Sequence, residues 1–339
     1  MRITLQPRIG IGIGIGIGIG IGIGIAICRH PPGTRDLRPA AVSLLALLTL
    51  ALTGCGGGWR HTISDCLPPA GSGSGDIARH LRTIERAPLC YRREEVREGG
   101  FHWVFHVLEH RKAGGGPFWV LPHDNENTAF AAALHAVTTY GGGLLAVDSG
   151  GRRYFQGQDP NRNFSTSASE SRLCIAQHAP APGYTRAILD HYKGRRGPFL
   201  AMHNNQDGWR GNGGRGTISV HRVTAVLYGF PGAGPSGSLR DGDNLIMMAG
   251  LGTPASDPAL RRRIAALNDA GLNVQYKQVT DRSFDCSLSD YVARHRLGDY
   301  YNIEAEHGRR EAQIEMVDRL MEVLGIEPLR RAAPNPFLN

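Results

Sequence analysis

Residues 122–127 read Pro-His-Asp-Asn-Glu-Asn and follow the apolar run Phe118-Trp119-Val120-Leu121. His123 and Glu126 stand three apart, where a short strand gives out. An imidazole nitrogen and a carboxylate oxygen suit a metal ion. A catalytic zinc takes three protein ligands and one open position, and two histidines with a glutamate are one such set. The pair therefore needs a second histidine. His203 offers it, because it follows another short apolar run, Phe199-Leu200-Ala201-Met202. Taken alone, each of these residues is an ordinary polar group at a strand exit. Two more stretches bear chemistry. In Gln158-Asp159-Pro160-Asn161-Arg162-Asn163-Phe164, Arg162 could present its fork to a carboxylate, or the string could be a turn built by Asp, Pro and Asn. Tyr301-Asn302-Ile303-Glu304-Ala305-Glu306 sets a carboxylate near the end of a late strand, where a general base could reach a water.

A rival string lies just upstream. His106-Val107-Leu108-Glu109-His110 has the His-x-x-Glu-His form that binds metal on a helix, where residues four apart share a face. Here Trp103, Phe105 and Val107 alternate with His102, Val104 and His106, which is strand patterning. On a strand the two outer histidines stand about 13 Å apart. The string is expected to be a half-exposed strand with surface histidines.

The elements that must position these residues alternate. The patterning predicts a short helix over 76–86, strands over 101–110 and 118–121, and a helix over 127–139. In that helix Phe130, Ala133, Leu134 and Val137 share a face. Further strands are expected at 144–147, 199–202, 218–226, 244–248, 273–277 and 300–306. Helices are expected near 184–192, 258–270, 287–296 and 310–324. Such alternation predicts an α/β fold with a mixed, mostly parallel twisted sheet flanked by helices. Ligands of open α/β sheets bind at the carboxyl edge, where His123 and His203 are expected.

The 339 residues are 41% hydrophobic, enough for a sizeable core. Net charge is +8, and half of it lies in residues 1–54, which carry five arginines and one aspartate. The remainder is too mildly basic, and too poor in Lys/Arg clusters, to argue for nucleic acid. Residues 9–25 alternate Ile and Gly strictly and read as low complexity. A basic segment at 35–38, an apolar stretch at 40–51 and Leu52-Thr53-Gly54-Cys55 follow. Together they read as a secretory leader, too short for a comfortable membrane span. Leu-Thr-Gly-Cys resembles the bacterial lipobox. That resemblance implies cleavage before Cys55, lipidation of Cys55 and a membrane anchor at the periplasmic face of the cell envelope. Residues 55–75, rich in Gly, Ser and Pro, read as a tether, and 76–339 as the domain that carries the candidate site. Export leaves Cys66, Cys90, Cys174 and Cys286 in an oxidising compartment. Three pairings are open, with Cys66–Cys90 and Cys174–Cys286 favoured for its local tie.

The order His-x-x-Glu, Asp-x-Asn-Arg-Asn-Phe, strand-His, strand-Glu resembles the zinc carboxypeptidase superfamily over residues 100–325. The short spacing from Glu126 to His203 is more similar to its bacterial murein peptide amidase and desuccinylase-like branch than to the digestive enzymes. The resemblance makes the 76–339 domain metallopeptidase-like and implies Zn2+ held by His123, Glu126 and His203, with Glu304 (or Glu306) as the general base. Asn161 and Arg162 would grip a substrate carboxylate, and Arg152 (or Arg153) would stabilise the oxyanion. Tyr291 would stand for the family's mobile tyrosine. The implied reaction is hydrolysis of an amide bond next to a free carboxylate, on a peptide or muropeptide substrate. The same residues admit an N-acyl amino acid deacylase, or a noncatalytic envelope-binding lipoprotein on the same scaffold. The family's frequent glycine inside His-x-x-Glu is replaced by Asp124-Asn125.

Overall fold

The computed structural model describes residues 58–175, 179–235 and 237–329. The Ile-Gly repeat, the apolar leader and Cys55 lie outside the described residues. Along the chain run β1 (Arg60–Ile63), α1 (Gly75–Arg79), α2 (Leu81–Arg86), β2 (Leu89–Glu98), β3 (Phe101–His110), β4 (Phe118–Leu121), α3 (Asn127–Tyr140), β5 (Gly143–Val147), α4 (Ala168–Ser171) and α5 (Pro182–Asp190). Then come β6 (Phe199–Asn205), β7 (Leu227–Phe230), β8 (Leu245–Gly250), α6 (Pro258–Asp269), β9 (Val274–Gln278), α7 (Leu288–Arg294), β10 (Tyr300–Glu306) and α8 (Arg310–Val323).

All ten strands join one mixed sheet, in the order β1-β2-β3-β5-β4-β6-β10-β8-β9-β7. The pairings β4–β5, β4–β6, β6–β10 and β8–β9 are parallel, and the other five are antiparallel. Helices cover both faces. Strand alternation sends successive side chains to opposite cores. Trp119 and Leu121 of β4 pack with Phe130 and Leu134 of α3 and Leu320 of α8. Phe118 and Val120 pack with Tyr184 and Ile188 of α5 and Val292 of α7. Every residue of β4, β5 and β10 is buried, as strands covered on both faces must be.

Several expectations change. The helix expected over 76–86 is two, split at His80, whose ψ of 11° leaves the helical range. No strand spans 218–226; the strand there begins at Leu227. β2 is unforeseen, because Arg92-Arg93-Glu94-Glu95 reads as a solvated run. Within the stretch read as tether, β1 pairs with β2 and Cys66 bonds Cys90. The second disulfide joins Cys174 to Cys286. The His106 string is a strand, but both outer histidines are buried rather than surface. Among the described residues no helix is long and apolar enough to cross a membrane.

Candidate metal centre

β4 is apolar to its last residue, and Pro122 ends it. The chain turns at once, with Glu126 N–H donating to His123 C=O at 3.3 Å, and α3 begins at Asn127. This tight exit brings two side chains three residues apart to the carboxyl edge of β4. β6 runs parallel to β4 and brings His203 to the same edge. β10 is parallel to β6, and its register sets Glu304 directly beside His203.

Three ligand atoms converge. His123 Nδ1 lies 2.8 Å from Glu126 Oε1, His203 Nδ1 lies 3.0 Å from Glu126 Oε2, and the two Nδ1 atoms are 3.1 Å apart. All three residues are buried. His123 Nε2–H donates to Asp159 Oδ1 at 2.7 Å, and that bond leaves a lone pair on Nδ1, aimed at the other two atoms. Two neutral imidazole nitrogens against one carboxylate cannot satisfy every contact with protons alone. A cation at the centre accepts all three lone pairs, so the donor set fits a metal ion. Burial pushes Glu126 up, but wherever the two rings carry protons in place of a metal, their charge overrides it and holds the carboxyl well below the usual range. Asp159 behaves likewise, with His123 as the dominant opposing partner.

Glu304 is buried and lines the same cleft. Burial raises its pKa, while the ring of His203 opposes the shift, and Asn302 Nδ2 donates to its Oε1 at 3.0 Å. Glu306 lies outside the cleft lining. It accepts Gly208 N–H at 3.1 Å and faces Arg309 at 3.3 Å. It belongs to a separate, partly exposed group with Asp207 and Asp241.

The arginine expectation needs correction. Arg152 is exposed and outside the cleft. Arg153 lines it, reaching Glu126 Oε1 at 3.1 Å and Asp159 Oδ2 at 3.4 Å. The loop holding them is pinned by Asp124, whose Oδ2 accepts Ser149 N–H (2.8 Å) and Gly151 N–H (2.7 Å), so loop parity turns the second arginine inward. Tyr291 is also displaced from its expected role. It packs on Phe164 and His295 and does not line the cleft, whereas Tyr300 does.

Asn161 and Arg162 form one short 3-10 turn with Pro160, and both line the cleft. Asp159 caps the turn, accepting Asn161 N–H at 2.9 Å. It is thus a turn former and the partner of His123 at once, and sequence reasoning saw only the first role. Tyr184 O–H donates to Pro160 C=O at 2.9 Å, and Phe164 packs fully buried against the same ring. Asn161 Nδ2 lies 3.3 Å from His203 Nε2. Arg162 Nη1 donates to Asn161 C=O at 2.9 Å, and its Nε faces Asp285 at 3.5 Å.

No protein-family model and no curated protein matches the chain. Solved structures that align with it include three described as candidate metallopeptidases from Shewanella. The protein of Shewanella amazonensis SB2B gives a TM-score of 0.40 at 14% identity, over 75% of this chain and 92% of that one. That of Shewanella baltica OS155 gives 0.38 at 13%, over 74% and 90%. That of Shewanella denitrificans OS217 gives 0.37 at 11%, over 75% and 89%. Similarity at this level carries no functional argument; the chemistry is carried by the converging side chains at the edge of β4, β6 and β10.

Proposed function

We propose that this chain is a zinc-dependent hydrolase of amide bonds next to a free carboxylate, acting on peptidoglycan-derived peptides in the bacterial envelope. One observation carries the proposal. Three buried ligand atoms converge within about one ligand spacing at a strand edge, with Glu304, Arg153 and Arg162 around the same cleft.

His123, Glu126 and His203 would hold the zinc, and Asp159 fixes the His123 ring by accepting a hydrogen bond from its Nε2–H. Zinc, when bound, polarises a carbonyl and makes water more acidic. Arg162 offers donors to the substrate's terminal carboxylate, which sets the scissile amide at a fixed distance from the ligand cluster. Arg153, on the same cleft wall, would supply a fixed positive charge to stabilise negative charge developing on the carbonyl oxygen. Glu304 takes a proton from the attacking water and returns it to the leaving amine. Asn302 steadies Glu304 by its 3.0 Å bond.

The leader-like segment and Leu52-Thr53-Gly54-Cys55 support export and a lipid anchor on Cys55, and an envelope location supports muropeptides of the murein amidase type. Metal analysis of the purified protein, with muropeptide digestion by wild type and Glu304→Gln, tests this reading. About one zinc per chain is expected, with activity reduced roughly a hundred- to ten-thousand-fold in the variant. Metal-free protein, or a fully active Glu304→Gln, would overturn it. Cys55→Ser should move the protein from the membrane to the soluble fraction.

A further inference from the structure

The cleft has a second end. It encloses about 620 Å3, and away from the histidines its wall carries Arg162, Lys277, Asp285 and Ser289. Lys277 rises from β9, where the sequence reads as plain strand. Its Nζ lies 3.1 Å from Asp285 Oδ2 and 2.8 Å from Asp290 Oδ2. Arg162 Nε shares that same Asp285 oxygen at 3.5 Å, so the two cationic heads are neighbours.

The acceptors here are filled. Asp285 Oδ1 takes Ser287 N–H at 3.0 Å, Asp290 Oδ2 takes Asp285 N–H at 3.0 Å, and Asp290 Oδ1 faces Ser289 Oγ at 3.4 Å. The donors are not. A lysine ammonium has three N–H bonds and a guanidinium five. Two of the lysine's face carboxylates, and two arginine nitrogens are engaged. Both side chains keep some surface open, 15% for Lys277 and 30% for Arg162. Burial first and the Asp285 charge second push the Asp290 carboxyl up to about 6, which weakens the acidic share of the cluster as pH falls toward that value.

We infer that this end of the cleft selects a terminal residue bearing an acidic side chain, with Lys277 reading the side-chain carboxylate while Arg162 takes the main-chain one. The inference rests on reading this cleft as the substrate site. Spare donors with filled acceptors favour a ligand that brings only acceptors. Two neighbouring cationic heads suit the two carboxylates of one small residue of the glutamate or aspartate type. An aliphatic or aromatic side chain would cover Lys277 without giving its third N–H an acceptor, which is unfavourable. A basic side chain would bring only donors to carboxylates that Lys277, Arg162 and nearby N–H and O–H groups already fill.

Titration calorimetry on the full-length, zinc-loaded protein tests this with N-acetyl-glutamate, N-acetyl-glutamine and N-acetyl-leucine. The glutamate derivative should bind at least about tenfold more tightly than the other two. In Lys277→Met that preference should shrink to roughly threefold or less. Removing Lys277 alone leaves buried carboxylates unpaired and risks misfolding. The double variant Lys277→Gln with Asp290→Asn removes one charge of each sign, and it should show the same collapse. Equal binding of the leucine derivative, no binding of any of the three, or a folded variant that keeps the preference would overturn the inference. A parallel hydrolysis assay on peptides ending in the same residues separates the two readings. Selective binding without any turnover removes the hydrolase and leaves the acid-selecting site. Faster turnover of leucine-ended peptides removes the acid-selecting site and leaves the hydrolase.

Discussion

Two histidine–carboxylate strings lie close together in the chain, and the fold treats them oppositely. In β3, His106 is enclosed by the sheet. Its Nδ1 meets the Tyr91 hydroxyl at 2.9 Å and its Nε2 meets Asp148 at 3.1 Å. Glu109 pairs with Arg92 and Arg195, and His110 Nδ1 accepts Lys112 N–H. Every member has its own partner, and four residues of strand hold the two histidines about 13 Å apart. At the end of β4, His123, Glu126 and the distant His203 point at one another. The better string on paper is thus structural, and the poorer one makes the convergent site. A ligand string matters through where the strand ends and which parallel neighbour ends beside it.

The widest gap between the two regions should appear in metal affinity. His203→Ala should weaken zinc binding by more than the roughly hundredfold that loss of a supporting partner brings. His110→Ala should leave both affinity and stoichiometry unchanged. Competition against a chromophoric chelator measures both. Equal affinities in the two variants would erase the distinction.

Acid stability should sharpen the comparison from the other side, because the strand region holds charge for folding rather than chemistry. Glu94 of β2 is buried, with His61 Nε2 at 3.0 Å and His191 Nε2 at 3.2 Å. Burial would raise its pKa, but the two imidazoles bring it down to about 2 from 4.5. A folded pKa below the unfolded one gives stability that is complete above about 4.5 and is lost as pH falls toward 2. Glu94→Gln should therefore unfold with a flatter acid limb and be less stable near neutral pH by ~3 kcal/mol. Denaturant titrations at a series of pH values would show it. An unchanged acid limb would remove Glu94 from the account.

His106→Ala should be milder. It removes two hydrogen bonds and leaves a small void, a loss of about 2 kcal/mol, with zinc content intact. A fall in zinc content would mean that the β3 string contributes to the metal site after all.

The same contrast explains what the sequence makes legible. His123, Glu126 and His203 stand out because Phe118–Leu121 and Phe199-Leu200-Ala201-Met202 are apolar on both faces and announce their own ends. β2 stays hidden because Glu94 and Glu98 are buried by partners remote in sequence: His191 for one, and the Gly183 and Tyr184 amides at the start of α5 for the other. Arg153 against Arg152 depends on loop parity, which no periodicity encodes. Lys277 looks like any polar strand residue until Asp285 and Asp290 are seen around it.

The smallest predicted effect concerns Asp124, inside the His123-Asp124-Asn125-Glu126 string. Its carboxylate receives two backbone amides of the 149–151 loop, and that loop leads directly to Arg153. A side chain without a carboxylate or amide oxygen could not hold the loop in this way, so Asp124 reads as a tether for the inward arginine. Asp124→Ala should keep zinc and fold but lower kcat about tenfold, with KM nearly unchanged, if Arg153 acts on charge that develops during reaction. Asp124→Asn keeps an oxygen able to accept both amides and should restore most of the rate. If Asn and Ala lose rate equally, the carboxylate acts through its charge rather than by holding the loop. If neither loses rate, Arg153 is positioned by Glu126 and Asp159 alone.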